Sequence, residues 1–209
     1  MKKIRFYLIC LAVSSANALM AQNADTSFAE HIAQHRQHYK NEFISEPRSP
    51  LKVQDTALLD FYPPDQFWQV SAKVILSKDA QPFELPTYSG KTRLHRKYAT
   101  LEFELGNQTF SLAIYQNLYL IGRDSSYEDY LFLPFKDLTN GEQTYGGGRY
   151  LDFRTGDIHD NTLVVDFNKC YNPYCAYSDG YNCPIPPKEN HLGIEIRAGE
   201  KVFRGEKKH

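Results

Sequence analysis

The chain has no G-x-S-x-G elbow, no H-E-x-x-H pair and no glycine-rich dinucleotide fingerprint, so the common serine hydrolase, zinc protease and oxidoreductase signatures are missing. Ser89-Gly90-Lys91-Thr92 imitates the end of a phosphate-binding loop, but Leu85 stands where the first glycine of that loop is required, which removes the backbone cradle. There is no apolar run long enough to span a bilayer, no internal repeat and no low-complexity tract. Positive charge is not in surplus either, with 24 Lys and Arg against 25 Asp and Glu. That balance argues against a non-specific nucleic-acid binder and against a polybasic membrane-surface protein, both of which need a cationic field. Met and Trp are scarce, at two and one, whereas there are 15 Tyr and 13 Phe. Such a balance suits strands, where aromatic side chains pack on pleated surfaces.

The N-terminus reads as an export signal. Lys2, Lys3 and Arg5 precede the apolar run 6–13, and small residues end at Ala18 and Ala21. A basic start, a short apolar stretch and a small-residue cleavage site predict a signal peptide over residues 1–21, with Gln22 as the new N-terminus and no membrane attachment after cleavage. Cleavage moves the charge balance from 24 against 25 to 21 against 25, or −4. The expected location is periplasmic or secreted. Residues 22–209 are enough for one sizeable core and too few for two ordinary domains, so a single domain is expected.

Residues 25–44 read as an amphipathic helix. Ser27 and Glu30 form a capping box, Phe28, Ile32, Tyr39 and Phe43 share one face, and Pro47 and Pro50 end the segment. His31, His35 and His38 fall on this helix, and a polar face accounts for them more simply than a metal does. A short helical turn is expected near residues 55–59. Beyond it the period changes to two. Alternation predicts a strand over 68–76, a hairpin joining 100–105 to 109–114 through Gly106-Asn107, and further strands at 118–121, 130–135, 150–153, 163–167 and 192–197. The fold class expected is mainly β, an antiparallel barrel or sandwich with one N-terminal amphipathic helix packed on it.

Chemistry concentrates in residues 144–192. Tyr145-Gly146-Gly147-Gly148-Arg149-Tyr150 leaves backbone without side-chain cover beside a guanidinium suited to a carboxylate or phosphate. The competing reading is a bulge or tight crossing, with Arg149 paired internally to Asp152 or Asp166. Cys170, Cys175 and Cys183 leave one thiol over if two of them pair. Cys175 with Cys183 bounds the tightest proline-flanked loop, and Cys170 with Cys175 is equally legal by spacing. The three cysteines with His191 match no standard zinc spacing, so neither metal nor cofactor is expected. As nucleophiles, Cys175 or Cys183 would need a base, for which His159 and His191 are the candidates.

These residues carry a resemblance. The segment YLFLPFKDLTNGEQTYGGGRYLDF and, after it, VVDFNKCYNPYCAYSDGYNCPIPPKENHLGIEIRAGEK resemble the bacterial and archaeal family called domain of unknown function 1684, as do RSPL, LDFYPPD and LPTYSGKTR upstream. The glycine triplet, Asn-Pro-x-Cys and Cys-Pro-x-Pro-Pro occur in order. The resemblance implies no activity. It marks Tyr145, Gly146, Gly147, Gly148, Arg149, Tyr150, Asp166, Asn168, Tyr171, Asn172, Pro173, Cys175, Cys183, Pro184 and Asn190 as motif positions, and Cys170 as the odd cysteine. It also implies members without an export signal, which keeps a thiol role open. The leading expectation is therefore an exported binding or structural domain with a small polar or anionic ligand in a pocket around the glycine triplet and Arg149, rimmed by Tyr145, Tyr150 and Tyr171. The alternative is a cysteine-dependent hydrolase or transferase using the 170–183 segment.

Overall fold

The structure, a computed structural model, describes residues 26–209. The export signal expected over residues 1–21 lies outside them. Helix α1 occupies residues 26–45 and ends just before Pro47. Ser27 is already helical, so the described residues do not show it as a cap. The apolar stripe turns inward as its spacing requires: Phe28, Ile32 and Phe43 are buried. A six-residue 3-10 turn at Val53–Leu58 follows, close to the expected position.

Seven strands form one antiparallel sheet: β1 Gln69–Leu76, β2 Phe83–Pro86, β3 Thr92–Leu105, β4 Gln108–Asn117, β5 Tyr130–Phe135, β6 Arg149–Arg154 and β7 Thr162–Asp166. Their order is β6-β5-β4-β3-β1-β7, with β2 sharing the edge of β3 beside β1. Strand β3 is 14 residues long and shifts register between Lys97 and Ala99, a bulge that bends it where β1 gives way to β2. The sheet curls into a half-barrel and does not close, which corrects the expectation of a barrel or sandwich. Its edges β6 and β7 are not hydrogen-bonded to each other. After β7 the chain turns through Phe167–Lys169, and Tyr171 then exchanges two backbone hydrogen bonds with Tyr150 of β6, at 2.9 and 3.1 Å. A strap thus spans the gap that a closed barrel would fill with ladder bonds.

Alternation places Val70, Ala72 and Val74 of β1, Leu101, Phe103 and Leu105 of β3, and Leu131, Leu133 and Phe135 of β5 in one core, which Phe167, Cys170, Leu192, Ile196 and Ala198 complete. Two expected strands are absent. Residues Leu118–Ile121 form a one-turn helix, α2, because the Asn117 side chain accepts from the backbone N–H of Leu120 at 3.1 Å and caps it. Residues 192–197 alternate in burial but make only isolated backbone bonds, such as Leu192 N–H to the Lys136 carbonyl at 2.8 Å and Leu138 N–H to the Ile194 carbonyl at 2.9 Å. Strand β2 was not foreseen, since Pro82 and Pro86 bracket it. Among the described residues no helix is long and apolar enough to cross a membrane.

Candidate functional site

Arg149 is the largest fully buried side chain and is spent inside the fold. Its Nη2 pairs with Asp137 Oδ2 at 2.8 Å and donates to the Ile196 carbonyl at 2.8 Å, while Nη1 donates to the carbonyls of Ala198 and Glu200. Phe135 covers one face of the guanidinium, with the ring centroid 5.4 Å away. No fork remains for a ligand, and the internal partner is Asp137 rather than Asp152 or Asp166. The glycine triplet is a close crossing as well. A Cβ on Gly147 would lie 2.2 Å from the Tyr145 ring, and one on Gly148 would lie 2.5 Å from the Phe135 carbonyl oxygen. Tyr88 Oη donates to the Gly147 carbonyl at 2.9 Å, so even that backbone is covered. Gly146 alone is exposed.

Three more of the predicted positions serve the framework. Asn168 is buried and ties down the turn before β1, accepting from Asp65 N–H at 3.0 Å and donating to its carbonyl at 2.8 Å. Asn172 donates to the Lys201 carbonyl at 2.8 Å. Asn190 acts as a sheet clamp, accepting from Ala113 N–H at 2.7 Å and donating to the carbonyls of Ala113 and Pro134. Asn168 and Asn190 thus spend their side chains on the framework, whereas the buried Asn172 Oδ1 has no hydrogen-bond partner among the described residues.

The cysteine chemistry resolves similarly. Cys175 and Cys183 form a disulfide, so neither offers a thiolate, and the nucleophile reading fails on that bond. His159 is exposed at the turn before β7, and the exposed His191 has its Nε2 3.1 Å from the Pro186 carbonyl oxygen. Among the described residues Cys170 is the free thiol, buried beneath Gly199, with burial pushing its pKa up to about 11. A protonated, buried thiol is inert. Among the described residues no group of three or more His, Cys, Asp or Glu is arranged to hold a metal.

What the topology brings together lies on the outer face of β5 and β6. Alternation puts Tyr150 and Asp152 of β6 on that face, and the register sets Asp152 opposite Phe132 of β5. Tyr130 Oη donates to Asp152 Oδ1 and Tyr171 Oη donates to Asp152 Oδ2, each at 2.6 Å. One hydroxyl comes from β5 and the other from the strap, so both positions depend on the long-range pairing. The carboxylate is the floor of a cleft of about 1270 Å³ walled by α1 and by the strap, with His35, Tyr39, Glu42, Tyr171, Tyr174 and Cys183 among its lining. Asp152 is open to water through the cleft mouth although protein surrounds it closely on the other sides. Burial raises its pKa above the usual carboxylate value, with Glu42 adding to the rise, while the two tyrosines oppose it. Of the predicted positions, Tyr150, His159, Asp166, Tyr171, Pro173, Cys183 and Pro184 reach this cleft. Asp166 is engaged there with Asn168 and with Gln69 Nε2 at 3.2 Å. Tyr145 lies apart, in a hollow of about 450 Å³ with Tyr88 and Lys207.

The cleft thus combines a carboxyl held by two phenols, aromatic walls and access to water. The chain belongs to the family described as a protein of unknown function, DUF1684, which matches residues 55–201. Among solved structures it is similar to an uncharacterised protein of Haloarcula marismortui determined by solution NMR, at 28% identity and a TM-score of 0.64, covering 86% of this chain and 96% of that one. No curated protein matches it.

Proposed function

We propose that the protein is an exported domain that binds a small polar molecule in the cleft between α1, the β5–β6 face and the strap. The observation that carries this reading is Asp152, a carboxylate fixed by two tyrosine hydroxyls at 2.6 Å yet open to water. A group needed only for stability would be sealed, whereas a binding group needs orientation and access together. The position of the pocket differs from the one expected around Arg149, and two of its expected rim residues, Tyr150 and Tyr171, are kept. A set of polar small molecules tested for a rise in melting temperature should yield stabilisers that lose their effect in Asp152→Asn and Tyr171→Phe and keep it in Lys91→Ala, which alters the separate hollow. Stabilisers that act equally on wild type and Asp152→Asn would defeat the proposal.

Export is supported by the disulfide, which persists in oxidising compartments. The loop that it closes contributes roughly 2 to 3 kcal/mol in the chain-entropy description. Mass spectrometry of the chain isolated from the periplasm or medium should show Gln22 as the first residue. Alkylation should leave it unmodified when native, add one group after denaturation, and add three after reduction as well. A retained residue 1–21 segment, or three thiols without reductant, would refute export through the signal.

A further inference from the structure

The charges and rings of the cleft select among polar ligands. Its Arg and Lys side chains are already paired, Arg154 with Asp129 at 2.5 Å and Lys169 with Asp166 at 4.0 Å, and the other basic side chains of the lining are three histidines, His35, His38 and His159. On the acidic side, Asp152 and Glu46 have no ion-pair partner among the described residues, and Glu42 has only His38, at 3.5 Å. The unbalanced charge facing the cleft is therefore negative, which disfavours an anion. The walls favour a cation for a second, independent reason. Phe132, Tyr150, Tyr171 and Tyr39 form a continuous run of rings with successive centroids 4.8, 5.9 and 5.8 Å apart. Ring faces carry negative potential and attract ammonium groups. The two Asp152 oxygens each accept one tyrosine hydroxyl, and each keeps a further lone-pair direction for an N–H donor.

We infer that the cleft takes an organic ammonium ion, its N–H groups on the Asp152 carboxylate and its carbon skeleton against the tyrosine rings; this rests on the cleft being the binding site. Titration calorimetry on the intact protein at low salt, with benzylamine, choline, glucose and inorganic phosphate as probes, tests it. Benzylamine is expected to bind, and Asp152→Asn to weaken it by about tenfold or more. Choline, a cation without N–H donors, is expected to bind more weakly than benzylamine. Glu42→Gln, on an exposed helix position, should weaken benzylamine by roughly threefold, a partly screened charge effect that does not depend on the floor residue. Glucose and phosphate should give no heat. Asp152-dependent binding of glucose or phosphate, with none of benzylamine, would overturn the ammonium class while leaving the cleft as the site. Benzylamine binding that is equal in wild type and both variants would remove the cleft itself. Absence of heat from both benzylamine and choline would end the inference.

Discussion

Arg149→Ala is expected to destabilise the protein by about 3–5 kcal/mol, because it removes one partner of a fully buried ion pair. For a chain of this size that is a fall in melting temperature of roughly 6–20 °C, read by calorimetry. The guanidinium is not replaceable by packing alone. Asp137 Oδ1 is committed to Thr139 N–H at 2.9 Å and Thr139 Oγ1 at 2.5 Å, which fixes the carboxylate where its other oxygen meets Arg149. The carbonyls of Ile196, Ala198 and Glu200 all point at the same side chain from a segment that has no strand neighbour to bond them. Deleting Arg149 therefore leaves a charge and the Ile196 and Glu200 carbonyls unmatched in the core, leaves the Ala198 carbonyl only the Cys170 thiol at 3.6 Å, and weakens the hold on residues 196–200. Arg149→Lys should fall in between, since one ammonium lacks the fork that reaches all four acceptors. An unchanged melting temperature in Arg149→Ala would return the residue to ligand binding.

This case shows where local sequence signals stop. The hairpin of β3 and β4 was legible, because alternation and Gly106-Asn107 are local and Gly106 does take a positive φ of 61°. The expected bounds of β5 match the observed Tyr130–Phe135. The period-two pattern at residues 192–197 is just as clear, yet alternation reports burial and not pairing, and the bonds there go to Arg149, to Asp137 and, singly, to the backbone of Lys136 and Leu138 rather than to a strand. Closure is equally non-local: whether a curled sheet becomes a barrel depends on whether β6 meets β7, and the strap ending at Tyr171 intervenes. The glycine triplet stood out in composition, but only the approach of Tyr88, Phe135 and Pro186 reveals it as a crossing. In the sequence Asp152 is marked only as one of two acids that could pair with Arg149. Its significance comes from Tyr130 and Tyr171, 22 and 19 residues away along the chain, and no spacing rule links them.

The stability that Glu200 contributes should fall as the pH rises from about 4.5 to beyond 7, and Glu200→Gln should remove that fall. Glu200 is fully buried, its carboxyl accepts from Asn172 N–H at 2.8 Å, Tyr177 Oη at 2.7 Å and Tyr39 Oη at 3.0 Å, and among the described residues it makes no ion pair. Burial outweighs these three donors and pushes its pKa from 4.5 up to about 7. A raised folded-state pKa means that the folded chain holds the proton more tightly than the unfolded chain. The contribution is thus complete below about 4.5 and is lost as pH rises through 7, a change on the order of 3 kcal/mol. Asp55, Asp60 and Glu189 have depressed values and act with the opposite sign at acid pH, below this window. His35 and His95, depressed by burial, oppose the fall within it, and Asp152, raised by burial, adds to it, so the Glu200 contribution is read as the difference between wild type and Glu200→Gln. Glutamine reproduces the protonated acid: its oxygen can accept from Asn172 N–H and Tyr39, and its amide can donate to Tyr177, which then donates to Tyr39 3.0 Å away. Urea denaturation at pH 4.5 and pH 8 should show Glu200→Gln near wild type at the first and more stable at the second, whereas parallel pH profiles would sink the assignment. The same proton bears on the site. Tyr39 belongs at once to α1, to the Glu200 cluster and to the ring wall of the cleft, and its hydroxyl donates to Glu200, so the bond that ties α1 to this cluster strengthens when Glu200 ionises.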